Sequence, residues 1–131
     1  MKRTKIPDLG PLEFKLLRIL WKHDALTAPQ VLEKYNSQSN TPLAYTTVMT
    51  LLGRLTEKGI LKAERQRQPY RFSALIPKER ILRQRIQDFV NLFFEGKTLD
   101  LATRLVEEVP LSDEALSKLE TVLRERKAKA K

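Results

Sequence analysis

Hydroxyl side chains and one arginine recur on one side of a predicted helix in the segment AYTTVMTLLGRLTEKGIL, residues 44–61. At about 100° per residue, the members of this polar side are Thr46, Thr47, Thr50, Gly53 and Arg54. Short side chains let a helix approach a groove floor, hydroxyls bond base edges or phosphate, and arginine binds guanine or phosphate through two hydrogen bonds. This pattern predicts recognition of a DNA groove. The alternative is an ordinary amphipathic helix whose threonines face water.

The opposite side of the same helix is apolar and predicts a core-packing stripe. Its members are Ala44, Val48, Leu51, Leu52 and Leu55. Thr41 and Pro42 supply an N-cap hydroxyl and a proline suited to the first helical position, so we expect the helix to begin near Pro42. Gly59 is typical of the residue that ends a helix.

The residues after this helix, LKAERQRQPYRFSAL, alternate between apolar and polar types and predict a β-hairpin. Its tip, Gln66 to Pro69, lacks an Asn-Gly or Asp-Gly pair, which favours a loop of about four residues over a tight turn. Three arginines lie at or beside the tip and are predicted to contact phosphate: Arg65, Arg67 and Arg71. Tyr45 either contacts phosphate at the groove edge or packs under the hairpin.

Two further helices precede the polar one. Thr27 to Tyr35 begins with a capping box formed by Thr27 and Gln30, and Leu12 to Trp21 carries a broad apolar stripe. The order helix, helix, helix, strand, turn, strand is that of a winged helix-turn-helix domain. We therefore expect a mainly α fold with a small β-hairpin.

Positive charge is concentrated in this first half. The chain of 131 residues has a net charge of +9 and a pI near 10.0. Residues 1–75 hold 13 Lys and Arg against 6 Asp and Glu, whereas residues 76–131 hold 12 against 10. The basic residues around the polar helix and hairpin are Arg54, Lys58, Lys62, Arg65, Arg67 and Arg71. Such a patch favours a polyanionic partner. Lys2, Arg3 and Lys5 form a basic arm too short to support a prediction.

The second half predicts three amphipathic helices, the first over Lys78 to Phe94, the second closed by Pro110 and the third capped by Ser112. About fifty residues of this kind make a poor independent core, which favours pairing with a second copy. We therefore predict a DNA-binding domain over 1–76 and a helical dimerisation domain over 77–131; the alternative is a monomeric bundle packed on the first domain. The predicted dimer contacts are Leu82, Ile86, Phe89, Phe93, Leu105, Leu116, Leu119 and Leu123.

Enzymatic chemistry has little support in the composition. The chain has no cysteine and one histidine, His23, which excludes thiolate chemistry and disfavours a zinc site or a histidine-based catalytic pair. There is no glycine-rich phosphate loop. We expect no enzyme activity, no cofactor and no bound metal. Without an apolar span or a signal-peptide pattern, we also expect a cytoplasmic protein with no membrane partner.

The stretches LGPLEFKLLRILWKHDALTAPQVLEKY, AYTTVMTLLGRLTEKGIL and YRFSALIP resemble the penicillinase repressor (BlaI/MecI/CopY) family of winged-helix transcriptional regulators. The similarity covers nearly all of residues 8–78 and continues more loosely beyond. Its most specific pieces are Leu12-Glu13, Leu20-Trp21, the TTV-x-T-x-L-x-R-L core from Thr46 to Leu55, and Lys58-Gly59.

The resemblance implies a homodimeric repressor that binds an inverted-repeat operator, often with TACA/TGTA half-sites, and is released by a signal. It also implies that the helix carrying Thr46, Thr47, Thr50 and Arg54 enters the major groove while the hairpin tip touches phosphate. Two departures limit it: the cysteine-rich motif of the copper-responsive branch is absent, and the region Leu99 to Leu105 lacks the Asn-Phe bond that a sensor protease system cuts in the β-lactam-responsive branch.

The residues leave two rival functions open. One is a winged-helix module that binds an acidic protein, and the other is a non-specific DNA-coating protein, because the positive charge would serve either. The operator sequence, the inducing signal and the regulated genes, including any role in β-lactam resistance, do not follow from the sequence.

Overall fold

The computed structural model describes residues 6–130, so the basic arm Lys2, Arg3 and Lys5 lies outside the described residues. The elements in chain order are α1 (Pro11–Trp21), β1 (Leu26–Thr27), α2 (Ala28–Gln38), α3 (Tyr45–Glu57), β2 (Leu61–Glu64), β3 (Arg71–Ala74), α4 (Lys78–Phe94), α5 (Thr98–Glu108) and α6 (Asp113–Lys129). This is the predicted mainly α fold with a winged helix-turn-helix at its start. No helix in the described range has the length and apolar character needed to cross a membrane.

The chain divides into two compact units, the first ending at Arg85 and the second beginning at Ile86. This structural division falls within α4, nine residues after the 76/77 boundary expected from the sequence. The functional division at 76/77 stays a prediction.

The core of the first unit is formed by the inner faces of α1, α2 and α3 together with the sheet. Its fully buried members include Leu16, Leu17 and Leu20 of α1 and Val48 and Leu52 of α3. The wide apolar stripe of α1 is explained by this environment, because α1 contacts α2, α3 and β3. The core thus holds α3 by its apolar side.

The sheet has three antiparallel strands in the order β1-β3-β2. Leu26 of β1 pairs with Phe72 of β3, and Leu61 of β2 pairs with Ala74 of β3. The two-residue strand β1 was not predicted, because two residues are too few to show alternation and the strand exists only through pairing with β3. The hairpin loop comprises the six residues 65–70, whereas the sequence predicted a loop of about four.

The helix α3 begins three residues later than the sequence predicted. Ala44 is the N-cap in extended conformation and is exposed, so neither the Thr41-Pro42 start nor the place of Ala44 in the buried stripe is correct. The reason is tertiary: the Asn36 side chain accepts a hydrogen bond from the Leu43 N–H at 2.9 Å and donates to the Leu43 carbonyl at 3.3 Å. This side chain holds the chain in a turn through residue 43.

The other helix boundaries agree more closely with the pattern. At α2, the Thr27 hydroxyl accepts from the Gln30 N–H and Gln30 accepts from the Thr27 N–H, which confirms the capping box, although α2 runs three residues past Tyr35. α4 has the predicted bounds. Gly59 follows α3 with φ +78°, the left-handed conformation expected of a helix-ending glycine.

Candidate nucleic-acid interface

The outward side of α3 carries a ridge of three exposed side chains, Thr46, Thr50 and Arg54, spaced four residues apart. We call this set the α3 ridge. It extends for about 12 Å along the helix, close to the width of the DNA major groove. Thr47 flanks the ridge and is half-buried, so it lies at the edge of this surface. Val48, Leu51, Leu52 and Leu55 on the opposite side are buried, and α3 therefore presents only its polar side.

The Thr50 hydroxyl has a defined hydrogen-bonding role. It donates its proton to the Thr46 carbonyl oxygen at 2.9 Å, the bond from a threonine to the carbonyl four residues before it. Its oxygen lone pairs are left to accept. A threonine in this state suits the amino group of adenine or cytosine in the major groove, which donates hydrogen bonds.

The hairpin β2–β3, which we call the wing, exposes the three predicted phosphate-binding arginines. Arg65 and Arg67 lie in its loop, and Arg71 is the first residue of β3, opposite Glu64 of β2 and Thr27 of β1. Arg67 and Arg71 line one small cavity together with Glu64. The wing thus places two long cationic side chains in its loop and a third directly beside that loop, at the start of β3.

Lys58 does not belong to the cationic surface, contrary to the sequence-based grouping with Arg54 and Arg71. Its ammonium donates to both carboxylate oxygens of Glu13 at 2.9 Å and to the Asp8 carbonyl oxygen at 2.8 Å. Glu13, which is 6% exposed, also accepts from the Gly10 N–H at 3.0 Å. The charge of Lys58 is therefore neutralised within the fold. Sequence reasoning treated Glu13 only as part of the family resemblance and missed this pair.

This ion pair fixes the end of α3 to the start of α1. Burial alone would raise the pKa of Glu13, but the hydrogen bonds from Lys58 and the Gly10 N–H, with the nearby charges of Lys58 and Arg54, bring it below its usual value of 4.5. The carboxylate is thus ionised at neutral pH. A glutamate three residues after an N-cap was a sequence signal for the Gly10 bond; the lysine partner, 45 residues away, had none.

Tyr45, the first residue of α3, is 47% exposed. It borders a cavity of about 180 Å³ between α3 and the wing, together with Met49, Pro69 and Tyr70. Its ring is therefore neither buried under the wing nor fully free of it. The predicted phosphate contact is compatible with this position and stays a prediction.

The predicted dimer contacts are mostly exposed in the single chain. Leu82, Ile86, Phe89 and Phe93 of α4 are exposed, Phe93 by 64%. In α5 and α6, Leu105, Leu119 and Leu123 are exposed and Leu116 is half-buried. A cavity of about 690 Å³ between α5 and α6 has Leu105, Leu119 and Leu123 in its walls. Apolar surface of this extent is typical of interaction sites.

The described residues contain no group of three or more His, Cys, Asp or Glu side chains able to hold a metal ion. A family model described as penicillinase repressor matches residues 9–125. The chain belongs to the penicillinase repressor family. The resemblance seen in the sequence is thus confirmed.

Curated relatives of this family member extend over nearly its whole length. The penicillinase repressor of Bacillus licheniformis is 24% identical over 97% of this chain and 98% of its own. The methicillin resistance regulatory protein MecI of Staphylococcus aureus (strain N315) is 22% identical over 92% of this chain and 96% of its own. Both relatives are named as regulators and not as enzymes, which agrees with the prediction that this chain has no enzyme activity.

The fold is also similar to a solved structure, the DNA-binding domain of the repressor BlaI. It matches with a TM-score of 0.50 and 24% identity, covering 58% of this chain and 90% of that domain. The winged-helix prediction for this family member is therefore confirmed at the level of fold. The roles of individual residues remain predictions.

Proposed function

We propose that this penicillinase repressor family member is a dimeric, sequence-specific transcriptional repressor that binds an inverted-repeat operator. The observation that carries the proposal is the α3 ridge: a row of two hydroxyls and one guanidinium exposed on a helix whose other side is buried in the core. A rigid helix with short polar side chains fits the major groove. The DNA-binding domain of BlaI, which has a similar fold, supports DNA as the partner.

The two sets of cationic and polar residues divide the task. Thr46, Thr50 and Arg54 read base edges, with Thr47 at the rim of the groove. The wing arginines Arg65, Arg67 and Arg71, with Tyr45 beside the wing, bind phosphate. Base contacts supply specificity, whereas phosphate contacts supply affinity for any sequence.

Binding by Arg54→Ala and Arg67→Ala variants tests this division on two duplexes, one with TACA/TGTA inverted repeats and one scrambled. Arg54→Ala should lose about 1–3 kcal/mol on the operator and much less on the scrambled duplex. Arg67→Ala should weaken binding to both duplexes alike and reduce the salt slope by about one. Lys78→Ala, an exposed cation at the start of α4, is the matched control.

Equal behaviour of the two variants on both duplexes would overturn the division. A wild-type protein with a salt slope but no preference for the operator would indicate a non-specific DNA-coating protein instead. No DNA binding at all at low salt would leave the winged-helix protein-interaction module as the better hypothesis.

We infer that the exposed apolar residues of α4, α5 and α6 form the homodimer interface. Two copies related by a two-fold axis would present two α3 ridges to an inverted repeat. Sedimentation of the full chain should give twice the mass of 15.2 kDa at micromolar concentration. A monomer that binds a half-site and gains nothing from the second half-site would contradict the proposal.

Release of the operator by a signal is the last part of the proposal. A sensor protease system that cuts the C-terminal half would separate the DNA-binding unit from the helices proposed to form the dimer. Residues Leu99 to Leu105, which lie in α5, contain no Asn-Phe bond, so cleavage would use another bond. Mass spectrometry of the chain recovered from induced cells tests this: a single new fragment end supports proteolysis, and an intact chain after induction rejects it.

A further inference from the structure

A second cationic surface lies in the first unit, outside the α3 ridge and the wing. A cavity of about 480 Å³ opens between the C-terminal halves of α1 and α2 and the turn that follows α2. Its lining is Lys15, Arg18, Ile19, Lys22, Tyr35, Gln38, Ser39, Asn40 and Thr41. We call it the α1–α2 cavity. The described lining includes three cations and no carboxylate.

The three cations share one side of α1 because they are spaced three and four residues apart. None of the side chains of Lys15, Arg18 and Lys22 makes a hydrogen bond or ion pair within the described part of the chain. They span about 10 Å along the helix. The cavity thus concentrates three uncompensated charges on one wall.

The carboxyl ends of α1 and α2 both lie at this cavity and contribute negative partial charge, about half an elementary charge each. Three full positive charges exceed this contribution by about two elementary charges. Interaction with the two helix ends therefore offsets only about one of the three positive charges. An anion with two or more charges would balance the remainder.

Tyr35 supplies an independent observation. Its side chain is only 5% exposed, yet it lines the cavity. Its hydroxyl has no hydrogen-bond partner among residues 6–130. In the same residues, every polar side-chain atom that is completely buried has a partner, so the Tyr35 hydroxyl retains some exposure to solvent. A buried tyrosine normally finds a partner for its hydroxyl. Because Tyr35 lines the cavity and its hydroxyl is not fully buried, we infer that this hydroxyl is available to a ligand there.

The opposite wall is neutral and polar. The Ser39 hydroxyl is used in the turn, where it accepts from the Thr41 N–H at 3.1 Å and bonds the Thr41 carbonyl oxygen at 3.2 Å. The side-chain amides of Gln38 and Asn40 and the Thr41 hydroxyl make no hydrogen bond in the described residues. Several donors are therefore available around the cavity.

We propose that the α1–α2 cavity binds a small compound with two or more phosphate groups. Phosphate oxygens match the chemistry of the lysines, the arginine and the Tyr35 hydroxyl. A row of phosphates matches cations spread over about 10 Å better than a single compact anion does. The site is separate from the operator-binding residues and does not depend on the proposed function.

Calorimetric titration of the full chain with tripolyphosphate and with orthophosphate tests the proposal. We expect saturable binding of one tripolyphosphate per chain, at least ten times tighter than orthophosphate. Tyr35→Phe should weaken tripolyphosphate binding about threefold or more, and Lys15→Gln with Arg18→Gln at least tenfold. The control, Arg124→Gln with Lys127→Gln on α6, removes the same charge and should change the affinity less than twofold.

Three results would overturn the assignment. One is an equal loss in the control, which would indicate general attraction of a polyanion to a basic protein. Another is a loss of tripolyphosphate binding in Arg65→Gln with Arg67→Gln but not in the cavity variant, which would locate the anion at the wing.

The third result concerns DNA as a different source of phosphate. In a phosphate-free buffer, the double variant Lys15→Gln with Arg18→Gln should bind a half-operator as tightly as the control variant on α6 does. A larger loss of DNA affinity in the cavity variant would mean that the cavity contacts the DNA backbone. Melting temperatures of all variants, compared with wild type, exclude unfolding as the cause.

Discussion

The ion pair between Glu13 and Lys58 gives a quantitative prediction about how α3 is held. Lys58→Met removes the ammonium that donates to both Glu13 oxygens at 2.9 Å and keeps most of the aliphatic stem. The Glu13 side chain, 8% exposed, then keeps the Gly10 N–H as its one remaining hydrogen-bond donor among the described residues. We expect a clear loss of folding stability.

The magnitude follows from burial. Removing one partner of a fully buried ion pair costs about 3–5 kcal/mol. The Lys58 side chain is 30% exposed, so water solvates part of the site. We therefore expect Lys58→Met to lower the free energy of unfolding by about 2–3 kcal/mol. For a domain of this size the melting temperature should fall by about 10 °C. Lys62→Met, an exposed lysine on β2, is the control and should change stability by less than about 0.5 kcal/mol.

A double-mutant cycle with Glu13→Gln, followed by urea unfolding over a pH series, isolates the pair. The pKa of Glu13 is lowered in the folded state, so its ionised form stabilises the fold above the usual value of 4.5. That stabilisation is lost as the pH falls through the lowered folded pKa. The coupling energy should therefore be about 2 kcal/mol at pH 7 and disappear in acid. A coupling that is absent at pH 7, or unchanged in acid, would refute this account.

Three further changes have definite expected results. Thr27→Ala removes the N-cap hydroxyl of α2 and should lower the free energy of unfolding in urea by about 1 kcal/mol. An unchanged free energy of unfolding would show that this hydroxyl does not stabilise the start of α2. Gly59→Ala should cost about 1–2 kcal/mol of folding stability from its φ of +78° alone, since no atom beyond its two chain neighbours would lie within 4 Å of the added Cβ; a neutral result would contradict a left-handed backbone there. Leu119→Glu places a charge on the exposed apolar surface of α6 and should raise the dimer dissociation constant at least tenfold in sedimentation, without weakening half-site binding; an unchanged dimer would move the interface elsewhere.

The sequence alone determined the features that depend on local pattern. The helical period of α3 separated Val48, Leu52 and Leu55 from Thr46 and Thr50, and the structure buries the first group and exposes the second. The capping box at Thr27 and the glycine at 59 marked helix ends, because both signals act within a few residues. These local signals, in this order, were enough for the winged-helix fold class.

Only the tertiary structure decided what depends on residues distant in the chain. Asn36 delays the start of α3 by bonding Leu43, and β1 exists because Phe72 comes to lie beside Leu26. Lys58, a plausible DNA contact by charge alone, is neutralised by Glu13, 45 residues earlier. Charge and periodicity are properties of single segments, whereas the partner of a charge or a backbone group is set by which segments the fold brings together.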